Sequence, residues 1–138
     1  MKTLVSDILN NLTKQELENL GVKKVTDYGK GRTRIHRDVI KEDGSPVSFC
    51  DVFMTDDFLD LVVVTDRESR GLGYAQKAIE RSLIWISYNP EVRLDRNIRW
   101  VTRSGNYQSV HLALRNGFIL ERKEKDESGA VWSYFLLF

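Results

Sequence analysis

Cysteine and proline are scarce in this sequence, and long apolar runs are absent. The 138 residues include one cysteine, Cys50, and two prolines. One cysteine excludes an internal disulfide, and its apolar surroundings at residues 47–53 favour a small core residue over a nucleophile. No run approaches the roughly 20 apolar residues that span a bilayer, and residues 1–7 lack the apolar core of a signal peptide. We therefore predict a cytoplasmic protein that does not enter a membrane.

An excess of either charge is also missing. The 21 Lys and Arg residues nearly balance the 20 Asp and Glu residues, which leaves a net charge of +1. This balance argues against a nucleic-acid-binding protein, because such proteins need a basic surface to attract phosphates. The content of 41% hydrophobic and 30% charged residues is that of an ordinary globular protein. A length of 138 residues leaves room for one domain, so we assign residues 1–138 to a single domain.

The first part of the chain predicts one helix and then three strands. Residues 1–20 are helical in character, with a capping box at Thr13 and Glu16 and a glycine stop. Residues 22–25 are a candidate short strand. Apolar runs, alternating or continuous, then predict three strands, at residues 32–40, 47–54 and 58–64. The Asp-Gly and Pro within residues 41–46 predict a hairpin turn between the first two strands.

The second part of the chain changes to a helical period. Apolar residues recur at helical spacing over residues 72–86, and the Asn-Pro at 89–90 ends that helix. Another helix is predicted at residues 106–116, where Gly117 supplies the C-terminal cap. Further strands are predicted at residues 98–102, 118–123 and 130–138. The order of helices and strands predicts an α/β domain with a mixed sheet.

The most informative feature is a buried strand that leads through a glycine-containing loop into a helix. Glycines such as Gly71 and Gly73 let the backbone approach an anion closely, and the first N–H groups of the helix lack partners within it. Arg70 adds a cation at the same place. This combination suits a pyrophosphate. The alternative is that the two glycines only make a tight connection between strand and helix.

Two standard nucleotide-binding patterns do not fit this loop. Gly-x-Gly-x-x-Gly would need a glycine where Gln76 stands, and the Gly-Lys-Ser/Thr of a P-loop is absent. The spacing Arg70-x-x-Gly73-x-Ala75 instead resembles the coenzyme A signature of the GNAT superfamily of N-acetyltransferases.

A second motif resembles the same family. Asn106-x-x-Ser109, followed by Gly117-Phe118, matches the family pattern Asn-x-x-Ala/Ser that ends in Gly-Phe. The resemblance covers roughly residues 32–138, and the order of the predicted elements agrees with it. It implies an α/β (α+β) GNAT-like single domain, in which a mixed central sheet of about six or seven strands is flanked by helices.

The resemblance also implies acetyl-CoA as cosubstrate and no metal. In this family the strand before the loop separates from the strand that follows the next helix, and the pantetheine arm lies in the gap. The residues implied to bind the cofactor are Val63, Val64, Thr65, Arg70, Gly71, Leu72, Gly73, Tyr74, Ala75 and Asn106. One N–H of the strand is implied to polarise the thioester carbonyl. The acetyl group would pass to an amine by direct attack in a ternary complex.

The usual acid of this family is absent. Many members place a tyrosine seven residues after the Asn, where this chain has Ala113. Ser109 lies one turn earlier, on the same predicted helix face as Asn106, and a subgroup that modifies protein N-termini carries this Ser. Ser109 is therefore our candidate catalytic acid, although a local packing or capping role is an equal alternative. The weaker candidates are Tyr107 and Tyr134.

The catalytic base is sought among the acids near the cofactor strand. Asp60 is the acid inside the apolar strand that leads to the loop, where partial burial suits a general base. The alternative is a structural Asp60 with a charged partner, and Asp51 on the preceding strand is a second candidate. His111 falls about 140° from Asn106 on a helical wheel, which predicts a surface position away from the cofactor.

The amine acceptor is the least defined part of the prediction. An acidic acceptor would suit a basic cluster made of Arg32, Arg34, His36 and Arg37, but such a set is more often the solvated face of an edge strand. Residues 131–138 are too apolar for an exposed edge, which predicts a core strand and a candidate homodimer contact. Two functions follow: an N-acetyltransferase for a small-molecule or protein amine, or a non-catalytic acyl-CoA-binding or partner-binding domain.

Overall fold

A computed structural model describes residues 12–22 and 31–138. The helices are α1 (Lys14–Asn19), α2 (Tyr74–Tyr88), α3 (Pro90–Arg93) and α4 (Tyr107–Arg115), with a 3₁₀ turn at Arg67–Ser69. The strands are β1 (Thr33–Glu42), β2 (Ser45–Met54), β3 (Phe58–Thr65), β4 (Asn97–Arg103), β5 (Ile119–Lys125) and β6 (Val131–Leu137). The predicted helix before residue 12 and the candidate strand beyond residue 22 lie outside the described residues.

The six described strands form one mixed sheet in the order β1-β2-β3-β4-β6-β5. β3 and β4 are parallel, and every other neighbouring pair is antiparallel. The predicted α/β (α+β) class, with a mixed central sheet of six strands flanked by helices, is confirmed. β1 and β5 are the edge strands, so residues 131–137 form an interior strand, as their apolar character predicted.

Two local signals in the sequence have the geometry expected of them. At the start of α1 the Glu16 N–H donates to Thr13 Oγ1 at 3.1 Å, and the Thr13 N–H donates to Glu16 Oε1 at 3.0 Å. This is the predicted capping box. Between β1 and β2, Asp43 and Gly44 both have positive φ, 51° and 80°, as a tight hairpin turn of the Asp-Gly type requires.

β2 and β3 are buried because helices cover both faces of the sheet there. On one face Cys50, Leu59 and Leu61 pack with Ile79 of α2. On the other face Phe49 packs with apolar residues of α1 and its flanks, which are Leu12, Leu17, Leu20 and Val22. Cys50 is fully buried, and this burial raises the pKa of its thiol, so the predicted core role is confirmed.

The sheet opens between β3 and β4. Their parallel pairing joins only Phe58–Asp60 to Asn97–Arg99. β3 nevertheless continues to Thr65 and β4 to Arg103, and β4 stays paired with β6 on its far side. The second half of β3 is still paired with β2 on one side, but its other edge, toward β4, has no strand partner among the described residues and faces a gap.

Candidate functional site

The loop after β3 has the backbone shape that the sequence predicted. Gly71 and Gly73 have φ of 83° and 82°, a left-handed conformation that residues with a side chain rarely adopt. A Cβ added at either glycine would meet no atom within 4 Å. The glycines are therefore required by the turn itself, and the space beside them is open to a ligand.

The loop delivers the N-terminus of α2 to this open space. Gly73 is the N-cap of this helix of 15 residues, and no side chain caps it. The first-turn N–H groups at residues 74–76 thus have no intrahelical acceptor, and the helix dipole makes this end positive. Arg70, whose side chain is exposed, adds a full charge. The arrangement suits a phosphate or pyrophosphate.

Contacts with the hairpin hold the loop in place. The Asp66 N–H donates to the Val47 carbonyl at 2.8 Å, which fixes the start of the loop to β2. At its end, the Tyr74 hydroxyl donates to the carboxylate of Glu42 at the tip of β1, and this hydrogen bond raises the pKa of Tyr74. The loop backbone is therefore held in a fixed position on the sheet.

The facing wall of the gap is α4, which begins at the second predicted motif. Asn106 is the N-cap of this helix, and its Oδ1 accepts a hydrogen bond from the Ser109 N–H at 3.2 Å. Ser109 Oγ accepts a hydrogen bond from the buried Trp100 Nε1–H at 3.0 Å. The spacing Asn-x-x-Ser thus fixes the helix start and seats the hydroxyl on β4.

A pair of amide side chains joins the two walls. Gln76, in the first turn of α2, donates to Asn116 Oδ1 at 2.7 Å, and Asn116 donates back to Gln76 Oε1 at 2.9 Å. Asn116 also donates to the Leu112 carbonyl at 2.8 Å, so it is fixed to the end of α4. We call these two residues the amide brace. The brace holds the C-terminal end of α4 beside the N-terminus of α2.

Together the walls enclose a cleft of about 530 Å³. The residues that line it are Leu20, Gly21, Val63, Val64, Thr65, Ser69, Arg70, Gly71, Gly73, Tyr74, Ala75, Gln76, Asn106, Gln108, Ser109, His111, Leu112 and Arg115. None of these described lining residues is Asp or Glu. The charged side chains that line the cleft, Arg70 and Arg115, are therefore both basic, which the near-neutral composition of the whole chain does not reveal.

The cleft brings together most of the predicted site. Every residue expected to bind the cofactor lines it except Leu72, whose side chain is 63% exposed on the loop. Ser109 lines it as well. The lining residues that the sequence did not single out include Gln108, Leu112 and Arg115, which recur along α4 at helical spacing. This spacing was the signal that could have found them.

His111 corrects the helical-wheel argument. It is exposed, as predicted, but it lines the same cleft as Asn106, so the prediction that it lies away from the face of Asn106 is wrong. The reason is that the cleft faces the side of α4 around Gln108 and Leu112, and not the side on which Ala113 lies. Ala113 is fully buried in the core and does not line the cleft.

Asp60 lies at the paired end of β3, apart from the cleft-lining residues. Its Oδ1 accepts a hydrogen bond from Arg99 Nε at 2.7 Å, and its Oδ2 accepts one from Arg99 Nη2 at 2.9 Å and one from Arg32 Nη1 at 3.2 Å. Asp60 itself is 2% exposed. Of the two interpretations left open by the sequence, this geometry favours a structural carboxylate with charged partners.

The basic cluster on β1 is likewise largely internal. Arg37 is 4% exposed and forms two hydrogen bonds, of 2.6 and 2.7 Å, with the fully buried Asp51. His36 is also buried, where it stacks on Trp85 with ring centroids 4.2 Å apart. The expectation of a solvated strand face is therefore wrong at these positions, although Arg34 is exposed.

The weaker acid candidates lie apart from the cleft as well. Tyr107 is 81% exposed at the start of α4 and is not a lining residue. Tyr134 of β6 is half-buried, and the Arg122 guanidinium carbon lies over its ring, 4.1 Å from the ring centroid.

Within residues 12–22 and 31–138, no helix is long and apolar enough to cross a membrane.

Solved structures of other proteins have a fold similar to that of this chain. No protein-family model and no curated protein matches the sequence. A Bacillus anthracis protein assigned as a streptothricin acetyltransferase, solved with acetyl coenzyme A, has a TM-score of 0.66 at 13% identity, covering 85% of this chain and 69% of that one.

Two further neighbours agree with it. The ribosomal-protein-S18-alanine N-acetyltransferase of Escherichia coli has a TM-score of 0.60 at 16% identity, covering 79% of this chain and 70% of that one. A spermidine N-acetyltransferase chimera from Vibrio cholerae and hSSAT has a TM-score of 0.68 at 14% identity, with 92% of each chain covered. The chain therefore has the GNAT fold, as its two motifs implied.

Proposed function

We propose that this protein is an acetyl-CoA-dependent N-acetyltransferase that transfers the acetyl group directly to an amine. The observation that carries the proposal is the gap between β3 and β4, which leads into a glycine loop and an uncapped helix N-terminus. A long ligand fits these surfaces, with an apolar arm in the gap and a pyrophosphate at the loop and the helix N-terminus. The GNAT fold and the neighbour solved with acetyl coenzyme A support the same ligand.

The chain's own residues would bind the cofactor in two parts. The open edge of β3 at residues 63–65 offers N–H and C=O groups that can align the pantetheine arm as a neighbouring strand would. The loop N–H groups at residues 71–75, with Arg70, would bind the pyrophosphate. When bound, acetyl-CoA supplies the activated acetyl thioester. An N–H of the β3 edge would then stabilise the negative charge that develops on its carbonyl oxygen.

Ser109 is the proposed proton donor to the departing sulfur. Its Oγ already accepts the Trp100 Nε1–H, so its own proton is available to donate and its O–H is polarised by the bond it receives. A free thiol has a pKa of about 8.5. The departing thiolate therefore needs only modest help, which a hydroxyl can give directly or through water while water returns to Ser109 the proton that the attacking amine loses.

We propose no carboxylate base. The described residues lining the cleft include no Asp or Glu, and both Asp60 and Asp51 are held by arginines elsewhere. The amine would therefore enter in its neutral form and lose its proton to water.

A second cleft adjoins the first at Asn106, and its wall includes Arg103 and Trp132. Because it shares Asn106 with the cofactor cleft, we propose it as the route for the acceptor.

Binding and turnover test the proposal separately. Calorimetry with acetyl-CoA is expected to give one site per chain, and loss of heat in a Gly73→Ala variant would place that site at the loop. Coenzyme A release would then be followed with spermidine, an alanine-terminated peptide and streptothricin, the acceptors named by the structural neighbours. No binding by the intact chain would refute the proposed function.

The acid role of Ser109 has its own test. We expect Ser109→Ala to lower kcat by at least about tenfold, with the Kd of acetyl-CoA unchanged within about twofold. Trp100→Phe is the matched control, since it removes the same hydrogen bond but keeps the hydroxyl. Because Trp100→Phe removes only the polarising hydrogen bond, we expect it to lower kcat less than Ser109→Ala does; an unchanged kcat in Ser109→Ala would refute the acid role.

The alternative is a non-catalytic acyl-CoA-binding or partner-binding domain. Two observations favour it. The described residues that line the cleft include no carboxylate, and position 113, where many members of the family have a tyrosine, is a buried alanine, Ala113. Tight acetyl-CoA binding without coenzyme A release on any acceptor, together with no effect of Ser109→Ala, would establish it.

A cytoplasmic location and a homodimer stay predictions of the sequence.

A further inference from the structure

The α4 wall of the cleft carries two basic side chains whose role the proposed function does not yet use. His111 and Arg115 are four residues apart, so they lie one above the other on the helix, and both line the cleft. Both are exposed. Within the described part of the chain, neither side chain takes part in a hydrogen bond or an ion pair, in contrast with Arg32, Arg37 and Arg99 of the sheet.

The amide brace fixes the end of α4 that carries these side chains. Asn116, which follows Arg115 directly, is bonded to Gln76 in the first turn of α2. Arg115 is therefore held near the helix N-terminus that would receive the pyrophosphate, but on the opposite wall of the cleft. The loop wall, with its N–H groups and Arg70, is sufficient for a pyrophosphate without any help from α4.

Coenzyme A carries a further phosphate, a monoester on the 3′ position of its ribose. A phosphate monoester has a charge of about −1.5 to −2 near pH 7 and accepts strong hydrogen bonds from a guanidinium. Resting on the proposed function, we propose that His111 and Arg115 bind this 3′-phosphate. The protein would thus select coenzyme A and its thioesters over the dephospho form, which lacks only that group.

Calorimetry with coenzyme A and dephospho-coenzyme A tests this directly. The intact chain is expected to bind coenzyme A at least about tenfold more tightly than the dephospho form, since charge-assisted hydrogen bonds are the strong ones. Arg115→Gln should reduce this ratio to about threefold, and a double variant with His111→Ala should bring it close to one. The affinity for the dephospho form should stay within about twofold in every variant.

Arg81→Gln is the matched control, because Arg81 is an exposed arginine of α2 that does not line the cleft. It is expected to leave the ratio unchanged. The ratio in the intact chain should also fall as sodium chloride rises from about 50 to 500 mM, since salt screens exposed charges.

Two results would overturn the proposal while leaving the proposed function standing. One is equal affinity of the intact chain for both ligands. The other is an equal loss for both ligands in Arg115→Gln, which would place this side chain on the pyrophosphate. Failure of the intact chain to bind either ligand would instead refute the proposed function, and this inference with it.

Discussion

The arginines of the sheet and the arginines of the cleft are in opposite situations. Arg37 and Arg99 each donate two hydrogen bonds to one buried carboxylate, at distances between 2.6 and 2.9 Å. Each also lies over a phenylalanine ring, at 4.7 and 4.0 Å from its centroid. Arg70 and Arg115 are exposed and have no ion-pair partner within residues 12–22 and 31–138.

Strand register explains the difference. Arg37 lies directly opposite Asp51 in the β1–β2 pair, and Arg99 directly opposite Asp60 in the β3–β4 pair. Pairing the strands therefore pairs the charges, and those arginines belong to the fold. The cleft arginines lie on a loop and at a helix end, where no strand neighbour brings an acid. Their charge remains available to a ligand.

The largest effect is expected when a carboxylate is taken from the sheet set. Asp60→Asn removes the negative charge that Arg99 contacts in a mostly buried place and weakens the contact with Arg32, so the free energy of unfolding should fall by about 3 kcal/mol. The Kd of acetyl-CoA and the kcat of the folded protein should stay within about twofold. Urea unfolding, calorimetry and a coenzyme A release assay measure these quantities.

Asp56→Asn is the control for this variant, because Asp56 is exposed in the turn before β3 and should change stability by less than about 0.5 kcal/mol. The opposite pattern, a large loss of kcat in Asp60→Asn with unchanged stability, would make Asp60 the catalytic base after all. Asp60 and the arginines that contact it would then serve catalysis, and the contrast between structural and ligand-binding arginines would not hold.

The fold could be predicted because its signals are local. The Asp-Gly turn at residues 43–44, the apolar run of β3 and the stripe of α2 each lie within a few neighbouring residues. The partners of Asp60 are not local, since Arg32 and Arg99 are 28 and 39 positions away. The sequence around a charged strand residue therefore does not show whether its side chain binds a ligand or pairs with a charge on the neighbouring strand.

The candidate site divides in the same way. The loop glycines could be predicted, because a positive φ is a property of one residue and its immediate neighbours. The orientation of α4 could not, because it depends on Ala113 and Phe118 entering the core, and on Gln76 meeting Asn116 across 40 positions. That orientation decides that His111 and Arg115 line the cleft.

An intermediate effect is expected when a cation is taken from the cleft set. Arg70→Gln should weaken acetyl-CoA binding by about tenfold, because it removes one charge-assisted contact to the pyrophosphate. The free energy of unfolding should change by less than about 0.5 kcal/mol, since the side chain is exposed. Calorimetry and urea unfolding on the same preparation measure both values. A loss of stability without a loss of affinity would place Arg70 with the structural arginines.

The smallest effect is expected at the amide brace, which joins the two walls without carrying charge. Gln76→Ala removes two hydrogen bonds to Asn116, so we expect a loss of about 1 kcal/mol in the free energy of unfolding. Because the brace holds α4 beside the loop, the Kd of acetyl-CoA should also rise about threefold. Gln15→Ala is a matched control, since it breaks an exposed Gln–Asn pair in α1, with Asn19 at 2.9 Å, that does not line the cleft. If Gln76→Ala lowers stability and leaves the Kd unchanged, the walls of the cleft are positioned by the core alone, and the brace belongs with the sheet arginines.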